Sequence, residues 1–272
     1  MDCEISKKRK VIKIAVFNNK GGVGKTTFAI NFARLISKKG AKVLFIDNDG
    51  QANSSMILTK MTEDEIASNV KYSIFDMMTH EDIKTKSCII NSKYEDIDII
   101  CATDDHNDTP DAISSYIDNT RILKEKLTEV ENDYDYIIID CAPTRDRNVY
   151  NALFAVDLVL TPVEIQMFSQ VGLRNLLGQI AKINKKRETP LLLYVFLSKV
   201  DNRQKSNNEK ARNYLQYLLA EDFIKADISL LSVYVKSFEE GTTAIDYRDN
   251  RGFIEMTNIT SKILEKINEE LI

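Results

Sequence analysis

Residues 18–27 read Asn-Asn-Lys-Gly-Gly-Val-Gly-Lys-Thr-Thr and join an apolar run at 11–17 to a helix-like stretch at 26–37. Glycines let backbone N–H groups curl around an anion, and the N-terminus of the following helix adds a partial positive charge. Lys25 would then reach the β- and γ-phosphates of a nucleotide, and the Thr26 hydroxyl would complete the coordination of Mg²⁺. The sequence therefore predicts a phosphate-binding loop formed by Lys20, Gly21, Gly22, Val23, Gly24, Lys25, Thr26 and Thr27.

Short apolar runs recur along the chain, with helix-like stretches between them. The runs lie at 11–17, 43–46, 97–101, 136–139, 158–163, 191–197 and 228–235. Unbroken runs rich in β-branched residues are typical of strands covered on both faces, as in a parallel sheet. The stretches at 26–37, 168–183 and 211–219 repeat near the helical period, and the first stops at Gly40. We therefore predict an α/β fold with a doubly wound, mostly parallel sheet flanked by helices.

Two further predicted strands end in carboxylates. Residues 43–53 read V-L-F-I-D-N-D-G-Q-A-N and include Asp47, and residues 134–143 read Y-D-Y-I-I-I-D-C-A-P and include Asp140. An apolar strand that ends in aspartate is a weak signal alone, and Asp47 could instead solvate a turn. The order and spacing behind a phosphate-binding loop make the signal strong. We expect Asp140 to hold Mg²⁺ through water.

Together these stretches resemble the ParA family of partition ATPases, whose P-loop is of the deviant Walker A type. The likeness continues at 73–78, 94–100 and 155–163 and thins beyond Gly172. It implies that Lys20 is a signature lysine that reaches across a nucleotide-sandwich dimer to the partner's phosphates, and that Asp47 orients or activates the attacking water. Lys20, Lys25 and Asp47 are therefore the predicted catalytic residues. Gly50 stands where the family has a proline.

The resemblance implies an ATPase that binds ATP and Mg²⁺, forms a homodimer on binding ATP, and hydrolyses ATP weakly until a partner stimulates it. Family members bind double-stranded DNA without sequence preference in the ATP state, and a ParB-like centromere-binding protein stimulates hydrolysis. We therefore expect a cytoplasmic, nucleoid-associated protein that segregates plasmid or chromosomal DNA. No repeat or low-complexity linker marks a boundary, so we predict a single P-loop ATPase domain at 11–272 behind a short basic tail at 1–10.

The charge is distributed unevenly, although the net charge is only −4. Acidic residues dominate from Asp47 to Asp146, whereas basic residues dominate from Gly172 to Arg212. Such an asymmetry indicates an anionic partner for one surface, or else a solvated helical face. The candidate DNA contacts are Lys185, Lys186, Arg187, Arg203, Lys205, Lys210 and Arg212.

One alternative is a MinD-like positioning ATPase that acts at a membrane rather than on DNA. Such a protein requires a basic amphipathic C-terminal helix. Here an apolar stripe at Ile259, Ile263, Ile267 and Leu271 is flanked by Glu265, Glu269 and Glu270. Anionic lipid would repel these carboxylates, so we expect no membrane partner and a stripe that packs on the core.

Another alternative is an iron–sulfur reductase of the nitrogenase iron-protein type, which needs two cysteines per subunit at a dimer axis. Cys101 and Cys141 end predicted strands but lack a glycine-flanked setting. The cysteines form no C-x-x-C pair, so we expect buried, inert thiols. The sequence also holds neither a secretory signal nor an apolar stretch long enough to span a membrane.

Overall fold

The computed structural model of the chain describes residues 10–165 and 170–272. Cys3 and nearly all of the predicted basic tail at 1–10 lie outside the described residues. The strands are β1 (Ile12–Val16), β2 (Val43–Asn48), β3 (Ile89–Asn91), β4 (Ile97–Ile100), β5 (Tyr136–Cys141), β6 (Leu158–Glu164), β7 (Leu192–Val200) and β8 (Phe223–Ser229). The helices are α1 (Lys25–Ser37), α2 (Asn53–Thr59), α3 (Glu63–Asn69), α4 (Ile74–Thr79), α5 (Thr109–Ala112), α6 (Ile122–Leu127), α7 (Arg147–Ala155), α8 (Gln170–Asn184), α9 (Lys205–Leu219), α10 (Ser232–Glu239) and α11 (Arg251–Glu270).

Within the described ranges the strands form one eight-stranded sheet in the order β3-β4-β2-β5-β1-β6-β7-β8. β3 runs antiparallel to β4, and the other neighbouring strands are parallel. Val16 is in register with Asp140, and Asp140 with Asp47. The carboxyl ends of β1, β2 and β5 therefore meet at one edge, which is where ligands bind in open α/β sheets. The predicted α/β, mostly parallel fold is confirmed.

Apolar layers cover both faces of this sheet. One layer includes α1 and α11, which contribute Phe28, Phe32 and Ile263, whereas the other includes α7 and α8, which contribute Leu153 and Leu176. Central strands are buried on both faces, as the unbroken run Ile137, Ile138 and Ile139 shows. This double burial explains why the strands read as continuous apolar runs rather than as alternating patterns.

The predicted strand at 228–235 is wrong. β8 ends at Ser229, and the following residues form α10. Val233 and Tyr234 are buried while Val235 is 56% exposed, a pattern that fits one face of a helix. The apolar residues of this run therefore serve two elements, and a short apolar run alone does not distinguish them.

The C-terminal stripe packs on the core, as predicted. Ile259, Ile263 and Ile267 of α11 are fully buried, and Leu271 packs against the same layer. In the described parts of the chain, no helix combines the length and apolarity that a membrane crossing requires. The apolar face of α11 is therefore buried in the core of this protein.

Candidate nucleotide-binding site

The predicted phosphate-binding loop lies between β1 and α1. Gly22 and Gly24 adopt positive φ angles of 75° and 90°, which glycine reaches without steric cost. A Cβ at Gly24 would lie 3.1 Å from Ser198 Oγ at the end of β7, so the loop also needs a small residue there. Asn18 anchors the loop because its side-chain amide donates to the Pro162 carbonyl at 2.8 Å. The loop thus delivers its backbone N–H groups to the N-terminus of α1.

Lys25 is the buried cation of this loop. Its Nζ donates to the Lys20 carbonyl at 3.1 Å, which holds the ammonium inside the curve of the backbone. Burial lowers the pKa of Lys25, and the charge of Asp140 opposes that shift. A buried ammonium at the centre of a backbone cradle is suited to binding phosphate.

Asp140 lies at the end of β5 beside the start of α1. Ser54 donates its hydroxyl to Asp140 Oδ2 at 2.6 Å, whereas the buried Oδ1 has no hydrogen-bond partner among the described residues. Burial raises the pKa of Asp140 to about 6, and the hydroxyls of Ser54 and Thr26 and the charge of Lys25 oppose the shift. An unsatisfied carboxylate oxygen near a threonine hydroxyl fits the oxygen donors that Mg²⁺ prefers, directly or through water.

Asp47 is fully buried behind this site rather than at its surface. Ser55 donates both its backbone N–H and its hydroxyl to Asp47 Oδ2, at 2.8 and 2.7 Å. Burial, and then the charge of Asp140, raise the pKa of Asp47 to about 8. Asp47 therefore fastens the start of α2 to the end of β2.

A cavity of about 580 Å³ opens over the phosphate-binding loop. At its polar end, Gly21, Gly22, Gly24, Lys25, Thr26 and Thr27 line it. Asp49 and Asn53, which follow β2, also line this end, and Asp47 does not. A carboxylate that orients an attacking water must face the cavity. The structure brings Asp49 there, which corrects the geometric expectation for Asp47.

The other end of the cavity is apolar, and none of the site residues predicted from the sequence lies there. Leu230 and Leu231 of the loop after β8 line it, with Tyr234, Val235 and Phe238 of α10. All of these residues except Phe238 come from the run at 228–235 that was predicted to be a strand. Recognising the helical spacing from 233 to 238 would have revealed this wall.

Gly50 lies against the side chain of Asn107. A Cβ at this position would overlap the amide of Asn107, which lies in a short 3₁₀ segment at Asp104–Asp108. The same segment is fixed by His106, whose Nε2 lies 2.9 Å from Asn48 Oδ1. Asn148 of α7 closes the buried network by donating to the His106 carbonyl at 2.9 Å. The segment after β2 is therefore packed under residues 104–108.

The candidate DNA contacts fall into two groups at opposite edges of the sheet. Lys185 and Lys186 follow α8 at the edge where β7 begins, whereas Arg203 and Lys205 follow the end of β7. β7 has nine residues, and at about 3.3 Å per residue it spans about 30 Å. The seven residues are thus two separate groups rather than the single surface that the sequence suggested.

Three of the seven side chains are engaged within the protein. Arg187 donates to the carbonyls of Leu153, Phe154 and Val156 at the end of α7, at 2.7–2.9 Å. Arg203 bonds Asp201, and Arg212 bonds Asp227. Arg187 in particular caps the C-terminal end of α7. Its position in a basic run of the sequence does not indicate this structural role.

The remaining predicted features concern the cysteines. Cys101 packs in the layer of α1 and Cys141 in the layer of α7, so the two thiols lie on opposite faces of the sheet. Burial raises the pKa of Cys88 and of Cys101 to about 12, and it also raises that of Cys141. In the residues that the structure describes, no cluster of three or more His, Cys, Asp or Glu could hold a metal. These three thiols are buried, and Cys101 and Cys141 do not meet at one site.

A parallel sheet whose first strand leads through a glycine-rich cradle into a helix defines a P-loop nucleotide-binding protein. Residues 11–193 match the AAA domain family. The chain is 33% identical to the sporulation initiation inhibitor protein Soj of Bacillus subtilis, over 70% of this chain and 73% of that protein. The chain therefore belongs to the AAA domain family and, within it, to the ParA/Soj group of partition ATPases.

Solved structures share the whole fold. A putative plasmid partition protein of Borrelia burgdorferi bound to AMPPNP superposes with a TM-score of 0.78 at 24% identity, covering 95% of this chain and 100% of that chain. Cobyrinic acid a,c-diamide synthase of Mycobacterium smegmatis, with bound ATP analogue and magnesium, gives 0.78 at 20% identity, covering 96% of each chain. These likenesses establish the architecture of the P-loop ATPase fold for this chain.

Proposed function

We propose that this chain hydrolyses ATP in a nucleotide-sandwich dimer and binds double-stranded DNA without sequence preference in its ATP state, in order to segregate plasmid or chromosomal DNA. One observation carries the enzymatic part: a single cavity joins the phosphate-binding loop, the Asp49 carboxylate and an apolar wall. The proposal treats residues 11–272 as one ATPase domain in the cytoplasm, associated with the nucleoid.

The ends of the cavity match the two ends of ATP. The backbone of residues 21–24, Lys25 and Thr27 would bind the phosphates, while Leu230 and Val235 offer an apolar surface to the base. Thr26 and Asp140 would hold Mg²⁺, Asp140 through water, and the bound ion would neutralise charge that develops on the phosphates. Asp140 Oδ1, which has no hydrogen-bond partner among the described residues, supports this assignment.

Asp49 is proposed as the carboxylate that orients the attacking water, because it lines the cavity beside the phosphate-binding loop. Asp47 is proposed as a positioning residue. Its bonds to Ser55 hold α2, and Asp49 donates its backbone N–H to Asp47 Oδ1 at 3.3 Å. The buried carboxyl thus acts on the reaction by fixing the segment that carries Asp49.

Lys20 is proposed to act on the nucleotide of the partner subunit. Its backbone N–H donates to Asn18 Oδ1 at 3.1 Å, which fixes the conformation of the loop at Lys20. A cation added only when two subunits meet would stabilise transition-state charge in the manner of an arginine finger. Hydrolysis would then depend on dimerisation.

The DNA-binding part rests on family membership and on the basic segment after residue 172. Lys205 and Lys210 lie on α9, are exposed, and have no ion-pair partner among the described residues. A ParB-like protein bound to a centromere-like site would stimulate hydrolysis.

A membrane-positioning role is less well supported, because the apolar face of α11 is buried in the core.

Phosphate release measured with purified protein tests the proposal. We expect slow release that requires Mg²⁺ and ATP and that rises with protein concentration more steeply than linearly, because the dimer is the active species. Release that is strictly proportional to protein concentration from well below to well above the dimerisation range would contradict the sandwich mechanism.

A further inference from the structure

A second cavity of about 680 Å³ lies between α7 and α8, apart from the nucleotide site. Five cationic residues line it: Arg145, Arg174, Lys182, Lys185 and Lys186. None of the described residues in its lining is acidic. This α7–α8 groove therefore concentrates positive charge on a protein whose net charge is −4.

No described residue neutralises the five cations by an ion pair. All five are exposed, and none forms an ion pair with another described residue, in contrast to Arg203 and Arg212. Lysines at the end of a helix are favoured by its dipole, which accounts for Lys185 and Lys186. The dipole does not account for Arg174, which lies near the start of α8. A cluster of like charges with no acidic side chain among the described lining residues points to an anionic ligand.

The other polar groups of the lining can all donate hydrogen bonds. They are the side chains of Thr120, Tyr150, Asn175 and Gln179. Together with arginine and lysine, these residue types are the ones that proteins use to contact phosphate and sugar oxygens of nucleic acids. The chemistry of the groove thus favours a phosphodiester backbone.

The spacing on α8 supports an extended ligand. Arg174, Gly178 and Lys182 repeat every four residues along one side of α8 and span about 12 Å at 1.5 Å per residue, and Lys186 follows two residues beyond the end of the helix. A DNA strand carries one phosphate per about 3.4 Å of axis, so about three to four phosphates would pass this stripe. Gly178 sits mid-stripe, and a Cβ built on it would meet nothing within 4 Å. Glycine costs about 1 kcal/mol in a helix, and close approach of a ligand backbone would explain it.

The groove is also connected to the nucleotide site. Gln179 lines the groove and accepts a hydrogen bond from the Asn19 amide at 3.3 Å, in the residue next to Lys20. Arg145 lines both this groove and the smaller cavity beside Asn19 and Lys20. A ligand in the groove would therefore contact residues that touch the phosphate-binding loop.

The geometry points to the α7–α8 groove as a binding site for the phosphate backbone of DNA. The inference rests on the proposed function and goes further by placing the contact on Arg145, Arg174, Lys182, Lys185 and Lys186. Of these, only Lys185 and Lys186 were among the residues selected from the sequence. None of the described residues that line the groove belongs to α9, which carries Lys205 and Lys210.

Fluorescence anisotropy of labelled duplexes of two unrelated sequences, with ATP and Mg²⁺ at two salt concentrations, tests the site. The Lys182→Glu/Lys185→Glu variant should bind at least tenfold more weakly, with a salt dependence reduced by about one unit of slope per lost contact. Gly178→Leu should also weaken binding, because it obstructs the groove without changing charge. Lys39→Glu/Lys84→Glu makes the same charge change at exposed lysines that do not line the groove and should bind as the wild type does. Thermal unfolding midpoints near the wild-type value show that each variant is folded.

The outcomes separate the two claims. If the wild type binds no duplex with ATP, both the proposed function and the groove are wrong. If the wild type binds and both groove variants bind equally well, the groove alone is wrong. Equal weakening in the Lys39→Glu/Lys84→Glu control would reduce the effect to net charge and would also overturn the groove.

Discussion

Ser55 donates its backbone N–H and its hydroxyl to the same oxygen of Asp47, at 2.8 and 2.7 Å. The pair lies at the junction of β2 and α2, directly behind the cavity that Asp49 lines. Because Asp47 is fully buried, its neutral form is favoured, and burial raises its pKa to about 8. Asp47 therefore holds α2 against the end of β2, whereas Asp49, the next carboxylate along the chain, lines the cavity.

The raised pKa predicts how stability depends on pH. A carboxyl whose pKa is higher in the folded protein stabilises the fold fully below its unfolded pKa, near 4, and loses that contribution as pH rises towards 8. In the absence of nucleotide, the free energy of unfolding should therefore fall between pH 5 and pH 8. Asp47→Asn should flatten that slope. Urea unfolding at pH 5 and at pH 8 measures the change in the free energy of unfolding for the wild type and for Asp47→Asn. Asp140, whose pKa is also raised, contributes a smaller pH dependence to both proteins. An equal pH dependence in the wild type and the variant would refute the assignment of the raised pKa to Asp47.

The two carboxylates after β2 should separate in kinetics. Asp49→Ala should retain ATP affinity and lose hydrolysis by about 10²-fold or more, because it removes the carboxylate that orients water and leaves the phosphate cradle intact. Asp47→Asn should keep most of the hydrolysis, since the amide oxygen can still accept from Ser55. Single-turnover phosphate release compares them. Full hydrolysis in Asp49→Ala together with no hydrolysis in Asp47→Asn would show that Asp47, and not Asp49, orients the attacking water.

The lysines of the phosphate-binding loop should differ in the step that they affect. Lys25→Ala removes the buried cation of the subunit's own site and should abolish measurable ATP binding. Lys20→Ala should leave binding to the monomer within about threefold of the wild type, because its proposed target is the partner's nucleotide. Isothermal titration calorimetry with a non-hydrolysable ATP analogue measures both, and equal losses of affinity would contradict a division of labour between the two lysines.

The apolar wall of the cavity makes a separate prediction about the base. Leu230 and Val235 are 55% and 56% exposed, although they are large apolar side chains at the cavity. Covering one such side chain is worth about 1.5 kcal/mol, or about tenfold in affinity. Val235→Asp should weaken ATP binding by at least that factor. Lys236→Asp, an exposed neighbour on α10 that does not line the cavity, should leave affinity unchanged. Equal affinities in the two variants would rule out this wall as the base site.

The sequence predicted the sheet, the phosphate-binding loop and the start of α1 because each has a local cause. Glycines at 22 and 24 are needed for positive φ, and doubly covered strands must be continuously apolar. It mistook the run at 228–235 for one strand because strand and helix share apolar composition over short distances. Tertiary packing, which a short run does not reveal, settled that assignment.

The sequence predicted the site less well where the role of a side chain depends on the direction in which it points. Asp47 and Asp49 are two residues apart, and only the path of the chain beyond β2 determines which carboxylate faces the cavity. Arg187 belongs to a basic run, yet its guanidinium donates hydrogen bonds to the carbonyls at the end of α7. Composition shows that charge is present, whereas the fold determines which charges remain for a ligand.

The ATP-dependent dimer is the central claim, and the mass of the protein in solution tests it most directly. Light scattering should give the 31.1 kDa of one chain with ADP and twice that mass with Mg²⁺ and ATP, most persistently in Asp49→Ala, where hydrolysis is slowed. Lys20→Ala should remain at the mass of one chain under both conditions. A wild-type protein that binds ATP and stays monomeric, or that is dimeric whatever the nucleotide, would contradict the account.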